Sequence, residues 1–141
     1  MIGLFISKKK ISKGFESMNK HDLVRFLSDW SDNGTFIYPG DIHVSGRFEG
    51  IASVEKWFKN FFEQCPEIRF TINNFFFKNI FDFTGTNTIA VHWDVDLKNR
   101  KGKTIHNKGI SVLSIKFGKV ITVEDYIFNT GDEFREIWSA K

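Results

Sequence analysis

The apolar pattern of this chain changes its period at Pro66, and that change limits the available folds more than any other feature. Before Pro66, apolar residues recur at helical spacing, as in 51–64. After Pro66 they alternate with polar residues in four segments, which predicts strands at 68–77, 89–98, 105–117 and 120–128. Short turns such as Gly118-Lys119 join these segments, so we expect an antiparallel meander.

The first half of the chain is predicted to be mainly helical. The predicted elements are helices at 8–18, 22–30 and 51–64, a short strand at 35–38, an irregular loop at 43–50 and a short last helix near Phe134. Helices followed by a meander indicate an α+β fold with the helices packed on one face of the sheet. A chain of 141 residues suits one core, so we expect a single domain over 1–141.

Composition and cysteine usage argue against several functional classes. A net charge of +3 is too small to indicate a nucleic-acid partner, and no segment approaches the length of a membrane span. Cys65 is the only cysteine, and the four histidines lie at unrelated spacings, so we expect no metal site. We therefore expect no cofactor, no nucleic-acid or membrane partner, and a cytoplasmic location. The 17 phenylalanines suit a cavity lined with rings.

The last predicted strand carries an acid in an apolar row. Alternate residues of a strand share a face, and one such row is Ile121, Val123, Asp125 and Ile127. This placement predicts that Asp125 lines a cavity and is mostly buried. The alternative is a structural acid that accepts hydrogen bonds from backbone amides or pairs with a lysine.

The order of elements and several short motifs resemble one known fold family. The motifs are Asn19-Lys20-His21-Asp22, 36–40, Gly102-Lys103, Gly118-Lys119 and Asp125-Tyr126. Together they resemble the NTF2-like, or cystatin-like, superfamily, and within it the SnoaL-like group and limonene-1,2-epoxide hydrolases. The resemblance implies a curved, mostly antiparallel sheet, three N-terminal helices and a conical pocket.

The resemblance also implies roles for particular residues. Asp125, just before a tyrosine on the last strand, matches a catalytic acid of the hydrolases, and Asp94 falls on a second one. His92 stands where the hydrolases have a catalytic arginine. Phe36 and Tyr38 fall on positions that hold the attacking water. The remaining ligand contacts are expected from Val123, Trp57 and Phe61.

Two carboxyl groups in one apolar cavity would support acid–base chemistry. Desolvation raises both pKa values and mutual repulsion separates them, so that one group acts as base and the other as acid. Asp125 would then be the base, Asp94 its partner acid and His92 the orienting group. The expected substrate is a small, mainly apolar molecule, and the reaction is of the isomerase, cyclase, hydratase or epoxide-hydrolase type. The alternative is a non-catalytic module of the same fold that binds a ligand or dimerises.

The strand at 89–98 allows two orientations. Its pattern alone places the polar row, with His92 and Asp94, in water and the apolar row in the core. The resemblance implies the reverse. Trp93 would then face outward among β-branched residues, and a homodimer through the convex sheet face, with Trp93 near its centre, would cover it.

Overall fold

A computed structural model describes residues 2–139 of this chain. The helices are α1 (Ile2–Asn19), α2 (Leu23–Leu27), α3 (Ile51–Gln64) and α4 (Asp132–Ile137). The strands are β1 (Trp30–Tyr38), β2 (Gly46–Glu49), β3 (Glu67–Phe77), β4 (Asn87–Lys98), β5 (Thr104–Lys116) and β6 (Lys119–Ile127). No helix within 2–139 is both long and apolar enough to cross a membrane.

The six strands form one sheet in the order β2-β1-β6-β5-β4-β3. Strands β3 to β6 pair as an antiparallel meander, while β1 pairs parallel to β6 and antiparallel to β2. The predicted α+β class is therefore confirmed. The parallel β1–β6 pair brings residues from near both ends of the chain side by side.

The helices cover one face of the sheet and bury its apolar rows. Helix α1 contacts β3, α3 contacts β1, and α4 contacts β5. The apolar stripe of α3, which includes Val54 and Trp57, is buried against the sheet. Burial of such side chains is the main favourable contribution to folding.

The N-terminal half differs from the prediction at three places. Helix α1 begins at Ile2 instead of residue 8. Trp30 begins β1 instead of ending the second helix, and 31–34 form a bulge within that strand. The bulge needs Gly34, since a Cβ atom there would lie 2.7 Å from Cε3 of Trp30. The segment 43–50, predicted to be irregular, contains the edge strand β2.

The orientation of β4 corrects the prediction based on the family resemblance. Its apolar row, which includes Val91 and Trp93, is buried under the helices, whereas His92 and Asp94 lie on the other face. Burying this apolar row stabilises the fold far more than burying His92 and Asp94 would, because these two polar side chains would lose their hydration. The pattern-based interpretation of this strand is the correct one.

A bulge also changes the phase of β6. Ser114 pairs with Thr122 and Ile115 pairs with Val120, so Ile121 is an extra residue in the ladder. Val120 therefore takes the buried position that the simple alternation predicted for Ile121. Beyond the bulge, the row of Val123, Asp125 and Ile127 keeps its predicted phase and faces the helices.

Candidate functional site

A cavity of about 100 Å³ lies between the helices and the covered face of the sheet. All four helices contribute to its wall, α2 through Phe26, as do all the strands except β2. Most lining side chains are apolar. The polar or charged members of the lining are Lys10, Asp29, Tyr38, Asn107, Ser111 and Asp125.

Aromatic rings from β1 and α3 form one wall of the cavity. The ring of Trp57 lies 4.6 Å from Phe36, 4.7 Å from Tyr38 and 5.6 Å from Phe61, measured between centroids. The Trp57 indole N–H donates to the backbone oxygen of Val44, so this ring has a fixed orientation. All five residues predicted as ligand contacts, Val123 included, line the cavity.

Asp125 projects from β6 into the cavity and is half-buried. Its Oδ1 atom accepts a hydrogen bond of 2.6 Å from the Ser111 hydroxyl group, which lies directly opposite on β5. Burial raises the pKa of Asp125 to about 7, and the neighbouring Glu124 acts in the same direction, while the Ser111 hydrogen bond opposes the rise. The carboxyl group therefore exchanges its proton near neutral pH.

Trp93 fixes the hydrogen bond between Ser111 and Asp125. The indole N–H of Trp93 donates to the Ser111 oxygen over 2.9 Å. Because a hydroxyl group has a single proton, Ser111 then directs its own proton to Asp125. The indole ring reaches Ser111 only because Gly109 faces it, since a Cβ atom on Gly109 would lie 2.5 Å from the ring.

Tyr38 provides a second polar group in the cavity. Its hydroxyl oxygen accepts a hydrogen bond of 3.2 Å from the indole N–H of Trp138, just after α4. Burial raises the pKa of Tyr38, so the phenol stays protonated. No group within residues 2–139 accepts a hydrogen bond from the Tyr38 hydroxyl group, so this group can donate one to a ligand.

His92 and Asp94 do not join this site. The His92 ring stacks on Phe128, with centroids 5.9 Å apart, and Asp94 lies 4.0 Å from the Lys108 ammonium group. Both side chains occupy the face of the sheet opposite the cavity. The predicted pair of carboxyl groups therefore does not form, and Asp125 is the acid of the cavity wall formed by β4, β5 and β6.

Sequence reasoning missed the residues that hold the two polar groups in place. Ser111 and Gly109 belong to the covered row of β5, and Trp138 follows the last helix. The sequence contained one usable signal, because a serine and a glycine interrupt the apolar row of β5. Pairing that row with β4 and β6 would have placed Gly109 opposite Trp93 and Ser111 opposite Asp125.

The position of Trp93 also bears on the predicted dimer. Trp93 lies in the core and cannot be the centre of a dimer interface; a homodimer through the sheet face stays a prediction. Residues 2–139 contain no group of three or more His, Cys, Asp or Glu side chains placed to hold a metal ion.

Solved structures share this architecture at low sequence identity. Bal32a, from a soil-derived mobile gene cassette, superposes with a TM-score of 0.80 at 16% identity, covering 96% of this chain and 98% of its own. TerC, co-crystallised with polyporic acid, gives 0.76 at 15% identity, with 96% and 99% covered. A protein of Jannaschia sp. CCS1 named as a SnoaL-like polyketide cyclase gives 0.69 at 11% identity, with 88% and 86% covered.

Sequence comparison gives the family directly. Among curated proteins, none matches this chain. The family model described as a SnoaL-like domain, however, matches residues 11–123, which include all of β1 to β5 and β6 as far as Val123. The resemblance to the NTF2-like fold is likewise confirmed by the solved structures. This chain belongs to the SnoaL-like domain family.

Proposed function

We propose that this protein binds a small, mainly apolar molecule in its cavity and transfers a proton to or from it through Asp125. The observation that carries the proposal is a carboxyl group with a pKa of about 7 in an otherwise largely apolar cavity. A general acid or base works best when its pKa lies near the pH at which it operates.

The contacts of Asp125 support its use as a single acid–base group. The Ser111 proton occupies Oδ1, and no other protein hydrogen bond to this carboxyl group occurs among residues 2–139, so Oδ2 is available to a ligand. In its ionised form the group would take a proton from bound substrate, and in its protonated form it would return one. Tyr38 would donate a hydrogen bond to an oxygen on which negative charge develops, while the phenol itself stays protonated.

The size and lining of the cavity limit the substrate. An apolar cavity of about 150 Å³ in another protein holds a benzene molecule. A cavity of about 100 Å³ therefore suits a compound of one small ring unless the aromatic wall moves. TerC, which has this fold, was co-crystallised with polyporic acid, which is a reason to test organic compounds as ligands of this chain. Isomerisation, cyclisation and hydration all fit one proton-transferring group.

NMR titration of the Asp125 carboxyl carbon tests the proposal, together with deuterium uptake from heavy water into small cyclic ketones. We expect an Asp125 pKa near 7 and exchange that Asp125→Asn abolishes. The matched control is Asp32→Asn, which changes an exposed carboxyl group of β1. An ordinary Asp125 pKa would contradict the proposal. A raised pKa with saturable ketone binding, but no exchange, would instead favour the non-catalytic binding module.

A further inference from the structure

Seven large apolar side chains are exposed together at one end of the molecule, which we call the tip. They are Ile2, Phe5, Ile6, Ile80, Phe81, Phe83 and Phe117. Only four other large apolar residues within 2–139 are as exposed. The rings of Phe5, Phe81, Phe83 and Phe117 are 65% to 70% exposed, so they stand out from the surface instead of lining a groove.

Three segments meet at the tip, and backbone contacts hold them together. The Gly3 N–H group at the start of α1 donates to the backbone oxygen of Asp82 over 3.1 Å. The Gly118 N–H group in the β5–β6 turn donates to Gly85 over 3.0 Å. Helix α1 also reaches this turn, because the Lys10 ammonium group donates to the Gly118 oxygen.

The loop between β3 and β4 presents its two rings in a fixed arrangement. Oδ1 of the buried Asp82 accepts hydrogen bonds from the N–H groups of Thr84, Gly85 and Thr86. Phe81 and Phe83, on either side of Asp82, are therefore held outward before any partner arrives. Little backbone entropy of this loop remains to be lost on binding, which favours association.

The tip is also basic. The segments 2–15, 75–88 and 114–122 contain seven of the 20 Lys and Arg residues but only one of the 17 Asp and Glu residues. The rest of the chain therefore has an excess of acidic groups, although the net charge is +3. Asp29, outside these segments, pairs with Lys10 and Lys13, which leaves five of the seven lysines outside the ion pairs of residues 2–139. On α1, Ile2, Phe5, Ile6 and Lys9 share one side by helical spacing, so apolar and positive groups are neighbours.

We propose that the tip binds the surface of an anionic lipid membrane, inserting Phe5, Phe81 and Phe83 among the acyl chains while lysines contact the headgroups. Protruding rings surrounded by lysines match such an interface, where apolar side chains enter the bilayer and basic groups meet anionic lipid. A fluid bilayer accepts protruding rings without the matching groove that a protein partner must provide. Surface binding of this kind requires no membrane-spanning helix, and residues 2–139 contain none.

Co-sedimentation with lipid vesicles tests this proposal in the intact chain. With vesicles containing about a third phosphatidylserine, we expect binding that Phe81→Ser/Phe83→Ser weakens about tenfold or more, and Lys9→Glu/Lys116→Glu similarly. Vesicles of phosphatidylcholine alone should bind far less. The matched controls are Val24→Ser on α2 and Lys59→Glu on α3, both exposed outside the three tip segments, and neither should change binding.

Several outcomes would overturn the proposal. One is no binding to the anionic vesicles, and another is binding that the lysine variant removes but the phenylalanine variant leaves unchanged, since insertion would then be absent. A third outcome would come from sedimentation velocity without lipid. If the wild type self-associates and Phe81→Ser/Phe83→Ser abolishes that association, the tip is a contact between copies of the chain and not a membrane site. Circular dichroism of each variant confirms that binding losses do not reflect unfolding.

Discussion

Replacing Asp125 by asparagine should change how the stability of this protein depends on pH. In the unfolded chain the carboxyl group has its ordinary pKa of 3.8, whereas in the folded protein the pKa is about 7. Between these values the folded state binds more protons than the unfolded state. Stability contributed by the protonated group is therefore fully present below pH 3.8 and is lost as pH rises through about 7.

The size of the effect follows from the two pKa values. A difference of about three pH units corresponds to about 4 kcal/mol of unfolding free energy. Water that enters the cavity screens the carboxylate, so we expect a measured loss of about 2 to 4 kcal/mol. Asp125→Asn has no ionisable group at this position and should lack this loss, so above pH 7 the variant should approach or exceed the wild type in stability.

Urea unfolding at several pH values from about 4 to about 8 measures the effect, and the difference between wild type and variant cancels the other titrating groups. With a typical dependence of the unfolding free energy on urea concentration, the wild-type unfolding midpoint should fall by about 1 to 2 M urea relative to that of Asp125→Asn over this pH range. Asp32→Asn should follow the wild type. A difference between wild type and Asp125→Asn that stays constant across the range would refute the assignment of a raised pKa to Asp125.

Three other substitutions address the surroundings of Asp125. Ser111→Ala removes a hydrogen bond that favours the ionised carboxylate, so NMR titration should find a higher Asp125 pKa than in the wild type; an unchanged or lower value would contradict the contact. Gly109→Ala places a methyl group 2.5 Å from the Trp93 ring and 2.6 Å from the backbone oxygen of Tyr126, and we expect a loss of about 1 to 3 kcal/mol in urea unfolding, whereas a neutral result would mean that both the indole ring and β6 are free to move. Trp93→Glu buries a charge in the core and should prevent folding, as judged by circular dichroism, while a folded Trp93→Glu protein would restore the outward orientation of this ring.

The sequence predicted most of the sheet because its signal was local. Strands β3 to β6 alternate apolar and polar residues, and their bounds were predicted within one or two residues. The segment at 30–34 was missed because Trp30 continues an apolar helical stripe, and only the tertiary pairing with β6 decides in favour of a strand. Local pattern cannot reveal a bulge that depends on a distant strand.

The site was predictable only in part, for a similar reason. Asp125 could be recognised from its own strand, since an acid in an apolar row is unusual. His92 and Asp94 were placed in the site by family resemblance, against the alternation of β4, and the packing follows the alternation. Ser111 and Trp138 depend on cross-strand register and on the docking of α4, which one sequence does not specify.

The parallel pairing of β1 with β6 has a consequence for how this protein folds. Strands β3 to β6 can form from neighbouring segments, and β1 can pair with β2, but β1 joins the meander only through the last strand, where Phe36 pairs beside Val123. Contacts between sequence-distant segments slow folding through the entropy lost on loop closure. The wall that carries Tyr38 and the wall that carries Asp125 thus meet late, so a chain still emerging from the ribosome leaves the β6-facing edge of β1 unpaired until β6 arrives.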